Sequence, residues 1–376
     1  MRAPIARALP LCAVVARALP ALAVLACTLV VAGCAAPSPV VPTPSPTREP
    51  GTLTVTALLD LSGPRASLGN AQRNALQLWA DQQQIRGTQQ VRLRWKAVDV
   101  AGSEARLIVE LRRASEVDGA DAVILGTPLA RYGDNLLRAT ELARLPILLT
   151  VPAPEPPLDG GRWLFALAPA QDRLDALVPA DLAARGIADA PFRLVPPGTD
   201  VIRYPAQLGG VRAMRMSGAP KEYPQLAALL KQLAPAPIAY FPYFTDPNDL
   251  GDLKDAPLVP LWPGSRQVVG GSPAFQSPAR RDFVKAYTDR HGPPATWAAT
   301  AFDALALIAA AAERSAATAD RSAAATRESL RDRLEETTFV GIASTYGFSR
   351  STHGGPLADD FTLLAWSGSF VTTAAR

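Results

Sequence analysis

Thiols are nearly absent from this chain. Its three cysteines are Cys12, Cys27 and Cys34, and none follows before Arg376. That excludes a disulfide framework, a thiolate metal site and a cysteine nucleophile from everything beyond position 34. Histidine is almost as scarce. His291 stands in "DRHGPP" at a helix end and His353 in the turn "STHGG", each without a partner motif. Two isolated imidazoles leave little for a zinc site, and no G-x-S-x-G elbow is present. Paired acids such as Glu335–Glu336 and Asp359–Asp360 read as solvated faces rather than acid/base dyads. No enzyme, metal or cofactor is expected, and both histidines are expected to be dispensable. A basic tract is also missing. The formal charge of +4 includes Arg2, Arg7 and Arg17, so about +1 remains after residue 33. Nucleic acid is therefore not an expected partner.

What is present begins with a leader. Residues 1–33 carry three arginines and no acid, and the apolar run "ALPALAVLACTLVVAG" (18–33) ends at Cys34. A positive start, a short apolar stretch and small residues at the cut mark a signal peptide. The run falls short of the roughly 20 residues of a membrane-spanning helix. "VAGC" (31–34) resembles the bacterial lipobox, which implies lipidation of Cys34 as the first residue of the mature protein. Residues 34–50, "CAAPSPVVPTPSPTREP", cannot build a core and read as an extended tether off a membrane surface. Ala35 rather than Asp after the cysteine resembles the outer-membrane default of a Gram-negative cell. An extracytoplasmic, membrane-anchored location is expected: the periplasmic side in a Gram-negative cell, the cell surface in a Gram-positive one.

Beyond the tether, strand and helix patterns alternate. "TLTVTALLD" (52–60) puts Leu53, Val55, Ala57 and Leu59 on one face, and Ala71, Ala75, Leu78 and Trp79 follow at helical spacing. "VRLRWKAVD" (91–99) has one charged face and predicts a sheet edge. "DAVILG" (121–126) is a continuous apolar run and predicts a central strand. A helix over 133–144 leads to "PILLT" (146–150), and a second strand set is expected to begin at "RWLFALAP" (162–169). "YPQLAALLKQLA" (223–234), 277–292 and 297–315 read as later helices, the second of them capped by Ser277 with Pro278 at its first position. The β-α-β-α order is that of doubly wound parallel sheets, and the length suits two domains.

The order of these segments resembles the type I periplasmic binding proteins, the branched-chain amino-acid binding family of ABC importers. The resemblance rests on "LLDLSGPRASLGNAQRNALQLWAD", "EVDGADAVILG", "LARLPILLT", "FVKAYTDRHGPPATWAATAFDALALIAAA" and "TFVGIASTYGFS". It implies an α/β fold of two doubly wound parallel-sheet lobes joined by a three-segment hinge. Residues 51–164 with 272–338 would form the N-terminal lobe, and 165–271 with 339–376 the C-terminal lobe. The chain would cross near 160–167, 268–276 and 335–342. A small ligand and a membrane ABC permease would be the partners.

The turn 61–69 poses its own question. Gly63 and Gly69 are too few and wrongly spaced for a phosphate loop. The resemblance makes this turn a wall of the cleft between lobes, with Ser62 and Leu68 facing the ligand. Leu68 stands where the family often carries an aromatic. The family's serine-rich loop reads "GTPLARYGD" (126–134) here. Thr127 is kept, but Leu129, Ala130 and Arg131 replace later serines. The family's S-P-x-x-T loop reads "TVPAPEPPL" (150–158), with Val151 and Pro154 near the lost donors. Each hydrogen bond to a charged group contributes about 1.5–3 kcal/mol, so these losses change what the cleft can hold. Arg131 and Tyr132 are expected to face Tyr243 and Asp246 across it, Arg131 offering a planar fork to an anion. The expected function is a lipid-anchored solute-binding protein closing on an amino-acid-like ligand or organic anion. The alternative is an envelope lipoprotein on the same fold that serves a protein partner, as in regulation of cell-wall synthesis.

Replacing the anchor tests the leader directly. Cys34→Ala should abolish incorporation of radioactive palmitate in the native host, and labelling that persists would exclude the lipobox.

Overall fold

The computed structural model describes residues 51–86, 91–157, 161–187, 192–195, 211–218, 222–223, 237–253, 260–268, 277–314, 323–356, 360–366 and 371–374. All lie in the compact unit Ser45–Arg376. The expected leader, Cys34, the expected tether and most of the helix expected over 223–234 lie outside the described residues.

The first sheet contains β1 (Thr52–Leu59), β2 (Arg92–Asp99), β3 (Ala122–Leu125), β4 (Ile147–Leu149) and β5 (Leu164–Ala166) in the order β2-β1-β3-β4-β5, all parallel. Helices α1 (Ala66–Arg86), α2 (Glu104–Glu116) and α3 (Asp134–Ala143) alternate with its strands. Val55, Ala57 and Leu59 of β1 pack with α1 on one face, while Leu58, Val123 and Leu125 pack with α2 and α3 on the other. Burial on both faces is why β3 reads as an unbroken apolar run. The charged β2 is the edge strand, as its alternation predicts.

The second sheet contains β6 (Phe192–Val195), β7 (Ala213–Met216), β8 (Ile238–Tyr240), β9 (Leu261–Ser265), β12 (Phe361–Trp366) and β13 (Val371–Thr373), after the short helices α4 (Gln171–Asp175) and α5 (Leu177–Ala184). It is mixed rather than parallel. β6 to β9 run parallel, but β12 pairs antiparallel with β9 and β13 antiparallel with β12. The chain reaches β12 only after an excursion through α6 (Pro278–His291), α7 (Thr296–Arg314), α8 (Ala323–Glu335) and the hairpin β10 (Thr338–Val340)–β11 (Thr345–Gly347), and it re-enters running the other way. α7 is long and apolar enough to span a membrane, but it is buried in the core beside α1.

Two changes of sheet come later in the chain than the pattern suggests. β5, expected to open the second set, closes the first sheet by pairing with β4. Ile342, Ala343, Tyr346 and Phe348, expected with the second lobe, belong to the first core. A buried clamp holds that passage. The Ile342 and Ala343 N–H groups donate to Asp303 at 2.6 and 2.8 Å, and the Tyr346 hydroxyl donates at 2.8 Å. Arg280 donates to the Ile342 and Gly341 carbonyls at 2.9 and 3.2 Å. Complete burial pushes the Asp303 carboxyl up to about 7, against the pull of these donors and of Arg280.

The two glycines of the 61–69 turn serve different ends. Gly63 sits at φ +78° with open space around its Cα, while a Cβ on Gly69 would overlap the Asp60 carbonyl. The first is a backbone requirement, the second a close approach of α1 to the end of β1. Gly63→Ala should therefore cost about 1–2 kcal/mol and Gly69→Ala about 3 kcal/mol or more, read as denaturant midpoints at unchanged m-value. The reverse order would mean that α1 can shift away from Asp60.

Candidate functional site

The strand order turns at β1 and β3, whose following helices lie on opposite faces of the first sheet. Loops that diverge at such a switch point leave a crevice beyond the strand ends. Here the crevice is organised by Asp60, buried at the end of β1. Its Oδ1 accepts from the Gly102 N–H at 2.6 Å and the Thr127 hydroxyl at 2.7 Å, and its Oδ2 lies 3.3 Å from Arg65 Nε. One carboxylate thus ties together the loops after β1, β2 and β3.

A second buried knot lies behind it. Gln72 donates to the Gly126 carbonyl at 2.9 Å and accepts from the Thr150 hydroxyl at 2.6 Å. Thr300 of α7 donates to the Thr150 carbonyl at 2.7 Å. A side chain at Gly126 would collide with Gln72 and Leu59, so glycine is required after β3 for α1 to approach.

In front of these knots opens a cavity of about 410 Å³. From the first sheet it is lined by Arg65, Gly102, Ser103, Glu104 and Leu107 and by the loop Thr127–Arg131; across from them stand Gln171 of α4 and Tyr243 after β8. Tyr243 is aimed by its neighbours. Its carbonyl accepts from Trp297 Nε1 at 2.7 Å, and its ring meets the Trp297 ring edge-on at 5.9 Å. Burial pushes its hydroxyl up to about 12, so it stays protonated and can donate.

Of the residues singled out in the sequence, Thr127, Arg131 and Tyr243 meet at this cavity. The others are placed elsewhere. Ser62 donates to Asp99 Oδ2 at 2.6 Å, and this bond leads in holding the Asp99 carboxyl below its usual range. Leu68 is buried in an apolar seam with Val151, Leu174, Trp297 and Phe361, where Tyr243 also packs. Tyr132 donates to the Pro154 carbonyl at 2.7 Å and packs under α2 and α3. Asp246 closes its own turn, accepting from the Asn248 N–H at 2.9 Å and side-chain amide at 2.8 Å. The pattern of the chain missed Asp60, Arg65, Ser103, Glu104 and Gln171. An acid ending an apolar strand, as Asp60 does, was the one legible signal among them.

His353 is not the free turn residue it resembles. The Ala166 N–H donates to its carbonyl at 2.8 Å, which lays the segment beside β5 and buries the ring. The ring stacks on Phe165 at 4.2 Å, with Nδ1 3.0 Å from the Leu164 carbonyl and Nε2 3.2 Å from Glu335. Burial lowers its pKa more than Glu335 raises it. Among the described residues, no cluster of histidine and acid side chains is placed to hold a metal.

No family model matches the chain, and no curated protein matches it. Solved structures do. An extracellular ligand-binding receptor from Rhodopseudomonas palustris superposes with TM-score 0.68 at 15% identity, over 87% of this chain and all of the other. The branched-chain amino acid transporter substrate-binding protein LivJ from Streptococcus pneumoniae, in complex with isoleucine, gives 0.64 at 14%, over 86% and 100%. The leucine-binding protein LivK from Thermotoga maritima gives 0.62 at 16%, over 86% and 98%. This chain has the type I periplasmic binding protein fold.

Within that fold, Asp60 should be the most costly cleft residue to remove. Asp60→Ala leaves two donors and the Arg65 charge without their acceptor and should cost about 3 kcal/mol. Thr127→Val removes one bond and should cost ~1 kcal/mol. Urea unfolding of the two variants checks the order. Equal, small losses would mean that Asp60 does not tie the loops.

Proposed function

We propose that this protein is a lipid-anchored, extracytoplasmic solute-binding protein of an ABC importer, and that it takes a small polar ligand in the cavity between its two sheets. The observation that carries this reading is the cavity's construction, with polar groups from the switch point of one sheet facing Gln171 and Tyr243 beside the other. Its size lies within the range of small-molecule sites. Binding stabilises the closed arrangement of two lobes because the ligand touches both. The solved structures of similar fold are named as ligand-binding receptors and transporter substrate-binding proteins, which supports a binding role rather than an enzymatic one. Residues 51–164 with 272–338 would form one lobe and 165–271 with 339–376 the other, except that β5 and residues 342–348 go with the first sheet. Cys34 would hold the protein to the membrane beside its permease. One observation favours the partner-protein alternative: Val151 and Asp246, where the resemblance implies ligand contacts, are turned into the protein's own packing and hydrogen bonding.

Thermal shift of the soluble chain from residue 35 onward, against pools of amino acids, amides and short organic acids, decides between them. A ligand at a hundred times its Kd adds ~2.7 kcal/mol, which should raise Tm by about 4 °C. Tyr243→Ala should reduce that shift. No shift from any pool at millimolar concentration, together with a protein that co-purifies from the native host, would replace this reading with the second.

A further inference from the structure

The charges around the cavity are unevenly spent. Arg65 is ion-paired with the buried Asp60, whereas Arg131, exposed at the other end of the lining, pairs with no acid among the described residues. The facing wall offers Gln171 and Tyr243, and neither carries charge. Asp246, the acid that would have stood on that side, is buried in its own turn. Glu104 is the one carboxylate in the lining. It leans on the start of α3, close enough that a Cβ on Gly133 would come within 2.9 Å of its Oε1. There the helix's positive end attracts it. The neutral groups add donors, namely the Ser103 and Tyr243 hydroxyls and the Gln171 amide.

Resting on the solute-binding reading above, we propose that this cleft selects an organic acid without an ammonium group, such as a 2-oxo or 2-hydroxy acid, in preference to the corresponding amino acid. The carboxylate docks on the Arg131 fork, which can donate two parallel N–H bonds to it. The 2-oxygen accepts from the neutral donors. An amino acid would bring an ammonium that loses water and gains no counter-charge from the facing wall, which is costly in a closed cleft.

Calorimetric titration of the soluble chain with three matched pairs tests this: leucine and 4-methyl-2-oxopentanoate, phenylalanine and phenylpyruvate, glutamate and 2-oxoglutarate. On the best-fitting skeleton the oxo acid should bind at least tenfold more tightly than its amino acid. Arg131→Ala should weaken it about a hundredfold and Arg131→Lys about tenfold, both with unchanged Tm in the absence of ligand. Glu104→Gln, which removes a like charge, should tighten the oxo acid about twofold. An amino acid that binds as tightly as its oxo acid, or that loses affinity in Glu104→Gln, overturns the ligand class and leaves the solute-binding reading standing. If none of the six binds but an amide or amine stabilises the protein in the thermal shift, the anion class alone fails. If nothing binds in either experiment, both fail.

Discussion

The Asp60 carboxylate bridges the loops that follow three neighbouring strands. Its two oxygens reach the loop after β1 through Arg65, the loop after β2 through Gly102 and the loop after β3 through Thr127. Those loops leave the sheet in different directions, so nothing in the strand ladder itself would set their spacing. A charge buried this deeply is tolerable only when its lone pairs are used and a cation stands beside it. The requirement works in both directions. The loops bring two donors to Oδ1 and a cation to Oδ2, and the carboxylate spaces the loops so that a cavity opens between them. Gly69 and Gly126 follow from the same constraint, because α1 can close over the end of β1 only where no side chain intervenes.

The relation between the two sheets depends on a different balance. Leu68 from α1, Leu174 from α4 and Phe361 from β12 meet around Trp297 in one apolar seam. One polar bond crosses this seam, from Trp297 Nε1 to the Tyr243 carbonyl, and fixes the aromatic ring at the cavity wall. The passages between sheets are held by polar bonds. Asp303 and Arg280 grip residues 341–343 from both the donor and the acceptor side. Ser265 at the end of β9 donates to the Ala343 carbonyl at 2.6 Å, and Ser344 donates to Asp360 at 3.0 Å. The crossing strands are thereby fastened to each other.

Much of the fold was legible because strand and helix periodicity is a local property. The continuous apolar run Ala122–Leu125 and the charged alternation of Arg92–Asp99 state their burial without reference to the rest of the chain. Other features depended on contacts that no window of sequence contains. β5 looks like the start of a new set because a long run precedes it, yet its partner is β4. β12 is apolar whichever way it runs, and only its pairing with β9 makes the second sheet mixed. His353 sits among turn residues, and its burial comes from β5, far away along the chain, and from Glu335.

The site divides in the same way. The residue types at positions 127, 131 and 243 declared a donor, a cation and an aromatic, and the strand-end rule placed them near a cleft. The same reasoning placed Asp246 there too, wrongly, because a side chain in a turn can satisfy itself on its own backbone and no pattern reveals that it has done so. By itself the sequence determined the strand and helix alternation and the residue types offered by the loops after β3 and β4. Only the tertiary structure decided which charges cancel, because Arg65 is spent on Asp60 while Arg131 is not, and an ion pair is settled by distance in space rather than by separation along the chain.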